Sequence, residues 1–228
     1  MGAGARAAPA GGCGDDRARA VAGLDVSRET LGRLDLYAEL LLKWQRRINL
    51  VSASTLSSLW TRHILDSAQI AGLGAAERHW ADIGSGAGFP GLVIAVLSMD
   101  HSPPSEVHLI ESDQRKASFL REAARITGAP AIVHAERAET ALPRLSGRIG
   151  AVTARAVASL PDLLVLAEPL LTTGATGFFP KGQTLESDLK RASSLFEFEA
   201  ELVPSKTDET GRVAVIRHLR RRIPPTRP

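Results

Sequence analysis

The 228-residue sequence contains one cysteine, Cys13, so it can form neither an internal disulfide nor a cysteine-based zinc site. No apolar run approaches the roughly 20 residues of a membrane-spanning helix. The six histidines, at 63, 79, 101, 108, 134 and 218, show neither H-E-x-x-H nor any other paired metal spacing, and no metal is predicted. No Ser–His–Asp or Cys–His constellation for nucleophilic catalysis is legible, and no internal repeat. A strong excess of one charge is also missing: 28 Lys and Arg stand against 25 Asp and Glu, a net +3. That balance alone does not identify a nucleic-acid binder, and the placement of the basic residues matters more than their sum.

What is present is ordinary globular composition, 44% apolar and 23% charged, on a chain long enough to bury a real core. At about 150 residues per domain, the length suits one full domain plus an appendage. Residues 1–25 are rich in Ala, Gly and Arg without periodicity and are expected to be a disordered tail. Met1-Gly2 lacks the Ser or Thr of a myristoylation start, since Arg6 stands there, and no apolar segment precedes Cys13. A cytoplasmic protein is expected.

Ser27 reads as the N-cap of a first helix, with Leu31, Leu34, Tyr37, Leu41 and Trp44 at helical spacing. A second helix is predicted from Thr55 to about Gly72, making 26–76 a helical extension. The character changes at His79. Short apolar strands are predicted at 80–83, 107–110, 131–134, 151–154, 177–179, 198–203 and 213–218. Helices over 91–97, 114–127, 161–171 and 185–195 separate several of them. This alternation predicts a parallel sheet covered on both faces across 77–219, with the last two strands free to pair as an antiparallel hairpin. Residues 220–228 read as a basic tail.

The most informative stretch is Asp82-Ile83-Gly84-Ser85-Gly86-Ala87-Gly88-Phe89-Pro90-Gly91. Glycines placed where a strand ends let the backbone turn sharply and approach a ligand closely. By letters alone, Gly86-x-Gly88-x-x-Gly91 also satisfies the dinucleotide fingerprint, but that motif should begin as the strand ends, at Gly84. The next strand ends in Glu111, about 20 residues on, where a carboxylate can accept hydrogen bonds from ribose hydroxyls. Its bland alternative is an acid favouring the following helix start. Strand, loop, helix, strand and acid together read as an adenosine-ligand site.

Several stretches coincide with one family. Lys43-Trp44, Ile48-Asn49-Leu50, Arg62-His63-Ile64-Leu65-Asp66-Ser67 and the glycine loop resemble the RsmG proteins, also called glucose-inhibited division protein B. Lys116-Ala117-Ser118-Phe119-Leu120, Arg155-Ala156-Val157-Ala158-Ser159-Leu160 and Lys181-Gly182 follow in the same order, so the resemblance spans about 30–217. It implies an α/β, Rossmann-like class I methyltransferase with a seven-stranded sheet. It further implies S-adenosylmethionine as donor and N7 of the guanine at position 527 of 16S rRNA as target. Carried over by motif, the donor site comprises Asp82, Gly84, Ser85, Gly86, Gly88, Phe89, Glu111 and Ser112, with Ala138 and Glu139 flanking the adenine and Arg155 facing the reacting end.

Guanine N7 carries a free lone pair, so the lack of a catalytic base is expected, and Arg155 is assigned to substrate positioning. Its structural alternative is an ion pair with Asp162 or Glu168. Asp82 is expected to reach the donor's amino group through water or to cap the loop. Candidate RNA contacts are Lys43, Arg46, Arg47, Arg62, His63, Lys181, Arg220, Arg221 and Arg222. For His63, pairing with Asp66 one turn away is the structural alternative. A small domain is poorly equipped to select one guanine from naked sequence, so 16S rRNA within the 30S subunit or an assembly intermediate is expected as partner, met by a monomer. A class I methyltransferase with another substrate and a non-catalytic donor-binding RNA-binding protein remain as alternatives.

Overall fold

The computed structural model describes residues 12–222. Seven strands, β1 (His79–Ile83), β2 (Glu106–Ile110), β3 (Ala131–His134), β4 (Ala151–Ala154), β5 (Thr176–Lys181), β6 (Phe196–Pro204) and β7 (Arg212–Arg221), form one sheet in the order β3-β2-β1-β4-β5-β7-β6. β1 through β5 pair in parallel, while β7 runs antiparallel to both β5 and β6. The chain moves outward from β1 to β3 and then returns to place β4 on the other side of β1. That reversal opens a crevice above the carboxyl ends of β1 and β4, the place where open α/β sheets bind ligands.

Helices cover both faces. The outer layers are α1 (Gly12–Val21), α2 (Arg28–Gln45), α3 (Asp66–Leu73), α4 (Gly91–Ser98) and α5 (Gln114–Thr127) on one side, and α6 (Ala138–Leu145), α7 (Leu160–Leu171) and α8 (Leu185–Ala192) on the other. Ser27 caps α2, its hydroxyl accepting the Thr30 N–H at 3.1 Å, and Thr30, Leu34, Tyr37 and Leu41 repeat at helical spacing on the buried face. Asp113 caps α5 and Gly128 ends it in the left-handed conformation. The helical extension shares one apolar cluster with α4, α5 and the sheet, so it is built onto the sheet's own helical layer.

Three expectations require correction. Residues 12–21, expected in the disordered tail, form α1. Its buried Asp16 accepts the Trp60 N–H at 2.8 Å and the Thr61 hydroxyl at 2.6 Å, and Arg17 grips Asp35 through two 2.7 Å bonds. Two polar residues therefore anchor a segment whose composition looked featureless; residues 1–11 lie outside the described part. The helix expected from Thr55 to Gly72 is three pieces: a 3-10 turn (Ala53–Ser58), a π-helical turn (Trp60–Leu65) and α3. Asp16, reaching in to hold the chain at Trp60, accounts for that break. Finally, the basic C-terminal tail begins later than expected, because Arg220 and Arg221 belong to β7 and pair opposite Glu197 and Phe196; residues 223–228 are outside the described part.

Candidate functional site

The glycine loop leaves β1 at the crevice. Gly84, Gly86 and Gly88 all have positive φ, at 65°, 55° and 94°, which side-chain-bearing residues reach only with strain. Glu111, at the tip of β2, holds the loop from below. One carboxylate oxygen accepts the Gly86 N–H at 2.8 Å and the other the Asp113 N–H at 2.7 Å. Gly88 is buried against Leu92, Tyr37 and Leu120, so it serves packing and not the cleft.

Asp82 lies beneath the loop, fully buried. One of its oxygens accepts the Gly91 N–H at 3.1 Å, which ties β1 to the start of α4. The other oxygen has no partner, and burial pushes the carboxyl pKa up to about 7. Of its two expected roles, capping is the one the geometry contains. Gly91 is required here because a Cβ would come within 2.6 Å of Asp82 and of Leu109.

Arg155, just beyond β4, reaches back across the crevice to the helical extension. Its Nη1 donates to the Arg62 carbonyl at 3.1 Å and approaches Asp66 at 3.5 Å, while its Nη2 donates to His63 Nδ1 at 2.6 Å. Asp66 is thus its carboxylate partner. Asp162 instead accepts from Ser159 and Glu168 pairs with Arg221. His63 stacks on Phe89 with ring centroids 4.9 Å apart, and the Arg155 guanidinium sits 5.1 Å from the same ring. Burial beside Arg155 and Arg62 lowers the His63 pKa to about 3, so the imidazole is neutral at ordinary pH. The expected pairing of His63 with Asp66 is replaced by a shared grip on Arg155. Its second nitrogen lies 2.9 Å from the Thr55 hydroxyl, so neither nitrogen is free to meet RNA.

Two clefts meet at Arg155. One, of about 460 Å³, is bordered by Gly84, Ser85, Gly86, Phe89, Arg62, His63 and Lys116. Its neighbour, of about 650 Å³, is bordered by Lys181, Asp188, Arg191 and Arg212, and the two share Asp66, Arg155, Ala156 and Asp208. Ala156 holds a φ of 57°, unusual for alanine, and the next side chain, Val157, lies over Gly84 so closely that a Cβ there would meet it at 2.7 Å. Lys181 donates to the Ala158 carbonyl at 2.6 Å from the rim of the second cleft. Ser112 is exposed beside Glu111, and Ala138 and Glu139 open α6 past β3. None of these three lines the cleft that holds Gly84. Thr55 and Lys116 border that cleft without having been singled out as site residues.

The basic residues divide into two groups. Lys43, Arg46 and Arg47 at the end of α2, Arg62 in the π-helical turn and Arg220 on β7 are exposed and enter no ion pair among the described residues. Arg221 instead makes a two-pronged pair with Glu168 beneath its stack on Phe196, and Arg222 pairs with Glu197 at 3.1 Å. Those two arginines are held in the fold, Arg221 by Glu168 on α7 and Arg222 by Glu197 on β6. Among the described residues, no group of three or more His, Cys, Asp or Glu is placed to hold a metal, and no helix is long and apolar enough to cross a membrane.

Known proteins resemble the chain in sequence and in fold. The family described as rRNA small subunit methyltransferase G matches residues 30–217. The ribosomal RNA small subunit methyltransferase G of Methylobacterium nodulans is 44% identical over 209 residues, which cover 92% of this chain and 98% of that protein. Its counterpart in Bradyrhizobium sp. strain BTAi1 is 47% identical over 201 residues, covering 88% and 90%. Among solved structures, the O-methyltransferase from Bacillus cereus in complex with SAH shares the fold at a TM-score of 0.54 and 12% identity, covering 91% of this chain and 98% of that one.

Proposed function

The chain belongs to the rRNA small subunit methyltransferase G family, and from that membership we propose how its residues methylate N7 of the guanine at position 527 of 16S rRNA. The protein is an S-adenosylmethionine-dependent methyltransferase of small-subunit rRNA. The observation that carries the site reading is the glycine loop held by Glu111 at the crevice where Arg155 emerges.

The residues fit such a donor. Each Glu111 oxygen accepts one backbone N–H and keeps a second lone pair, so two ribose hydroxyls can be added without breaking the loop's anchor. Gly86 would offer a Cβ only the Gly84 carbonyl, 3.7 Å away, so the bare loop backbone stays open to close approach. Asp82 holds an unpartnered buried oxygen under the same loop. In this reading Ala138 and Glu139 flank the adenine, with Ser112 beside Glu111.

When bound, the donor supplies a methyl group on a positively charged sulfonium. Guanine N7 attacks with a lone pair it already has, so no proton must leave first. The site agrees with that requirement, since the His63 nitrogen facing Arg155 is already engaged by it. Catalysis then rests on holding nucleophile, methyl and leaving sulfur in line. Arg155 is permanently charged and would add to the positive charge arriving on guanine, so it positions the base through O6 or a nearby phosphate. Lys181 borders the acceptor side.

RNA is met by Arg62 and Lys116 at the cleft and by the exposed Lys43, Arg46 and Arg47 at the end of α2, with Arg220 on β7. These charges neutralise phosphates and read no sequence. Target choice therefore falls to the shape of the rRNA in the 30S subunit or an assembly intermediate, engaged by a cytoplasmic monomer. The test compares 16S rRNA from cells with and without the gene by strand cleavage specific for 7-methylguanine. Loss of one cleavage at position 527 is expected without the gene; an identical pattern refutes the assignment.

A further inference from the structure

Every hydrogen on the path from Arg155 into the helical extension has one possible direction. A guanidinium only donates, so His63 Nδ1, 2.6 Å from Nη2, must be the accepting nitrogen. At the other end, Thr55 gives its one hydroxyl hydrogen to the Ser52 carbonyl at 2.8 Å. Thr55 can then only accept from His63 Nε2, 2.9 Å away. The imidazole is thereby fixed as the Nε2–H tautomer from both sides. The Phe89 ring, stacked against it and itself 4% exposed, fixes its plane.

Arg155 has five N–H groups. Nη1 donates to the Arg62 carbonyl and faces Asp66 as an ion pair, and Nη2 spends one on His63. The Nε–H and one of the two Nη2 hydrogens have no partner among the described residues. Both can donate to a bound oxygen, and Arg155 borders both clefts.

We propose that His63 is a positioning residue for the methyl-transfer reaction, a tautomer-locked acceptor that aims the free N–H groups of Arg155 at the bound reactants, with Thr55 holding the other ring nitrogen. This rests on the assignment of the clefts to donor and acceptor. The exposed Arg62 side chain, Asp66, Asp82, Glu111, Lys116, Asp208 and Tyr37 are the ionisable groups around this relay, and none of them takes over the contact that His63 makes to Nη2. His63 sits in the π-helical turn, a geometry frequent at functional sites.

The test uses His63→Leu, His63→Asn and Thr55→Val in the full chain, with steady-state methyl transfer to 30S subunits and 15N NMR of the imidazole. Asparagine places an amide oxygen where Nδ1 stands, so it should restore the acceptor. His63→Leu is expected to lower kcat about 100-fold, the usual cost of a misplaced catalytic geometry. His63→Asn should recover to within about fivefold of the parent, with the KM for the subunit unchanged in both. Equal loss in Leu and Asn variants, or a loss confined to KM, overturns the proposal. If His63→Leu does not fold, the NMR experiment decides alone: the parent must show Nε2–H at pH 7, and Thr55→Val must retain it, because Arg155 still claims Nδ1. An Nδ1–H tautomer in the parent overturns the proposal whatever the activity, whereas absence of methyl transfer by a parent with the Nε2–H tautomer would refute the functional reading instead.

Discussion

Replacing Asp82 by asparagine should stabilise the protein, and by an amount that depends on pH. Asp82 is fully buried, makes one hydrogen bond through Oδ2, and leaves Oδ1 without a partner. Burial raises its pKa from 3.8 to about 7. A raised folded-state pKa means that the folded protein holds a proton the unfolded chain has already released. Stability from this group is therefore complete below pH 3.8 and is lost as pH rises to 7, about three units at ~1.4 kcal/mol each, or ~4 kcal/mol in all. Asparagine keeps the acceptor for Gly91 and never ionises. Its amide hydrogens cost something where Oδ1 now lies, on the order of 1–3 kcal/mol, but that cost does not change with pH. Urea unfolding of parent and Asp82→Asn at pH 5 and pH 8 isolates the ionisation. The variant's advantage should grow by roughly 2–3 kcal/mol between the two. Parallel pH profiles would refute the reasoning and place Asp82 in contact with water or a counter-charge.

One buried and one half-buried histidine, His108 and His134, act in the opposite sense. His108 and His134 share a 2.9 Å contact, and burial lowers the pKa of both, so their stabilisation is present above pH 6.5 and lost as pH falls below it. Urea midpoints should fall on acidification from pH 6.5 to 5 more steeply in the parent than in His134→Asn; equal slopes count against the pair. Asp16→Ala strips the cap from the π-helical turn and should cost about 1–3 kcal/mol by urea unfolding. A cost near zero would mean that α1 is not seated there. Changing Lys43, Arg46 and Arg47 together to alanine should raise the KM for 30S subunits at least tenfold and flatten its salt dependence, with kcat held. An unchanged salt slope would remove α2 from the RNA surface.

Much of the sheet was legible because parallel strands buried on both faces read as short apolar runs. β3, β4 and α5 have the predicted limits, with Asp113 and Gly128 punctuating the helix. The helix α6 was not foreseen, since Pro143 in an eight-residue segment mutes its pattern. The α1 helix was hidden because its value lies in Asp16 and Arg17, whose partners are 44 and 18 residues away. The same holds for the site. The glycine loop and Glu111 are neighbours in a short stretch and announce themselves. Arg155 and His63 are 92 residues apart, and only the return of the chain to β4 brings them together.

The glutamates of β6 have one more consequence. β6 is the outermost strand, nine residues long, with Leu202 42% exposed, and such an edge offers its open backbone to any other extended chain. Glu197, Glu199 and Glu201 set a negative charge at every second position along it, and Arg222 and Arg217 cover only part of that charge. A second copy of the strand laid alongside would bring like charges into register. The opposite edge, β3, needs no such guard because it is four residues long. The sheet thus resists growing into aggregates by charge at one border and by brevity at the other.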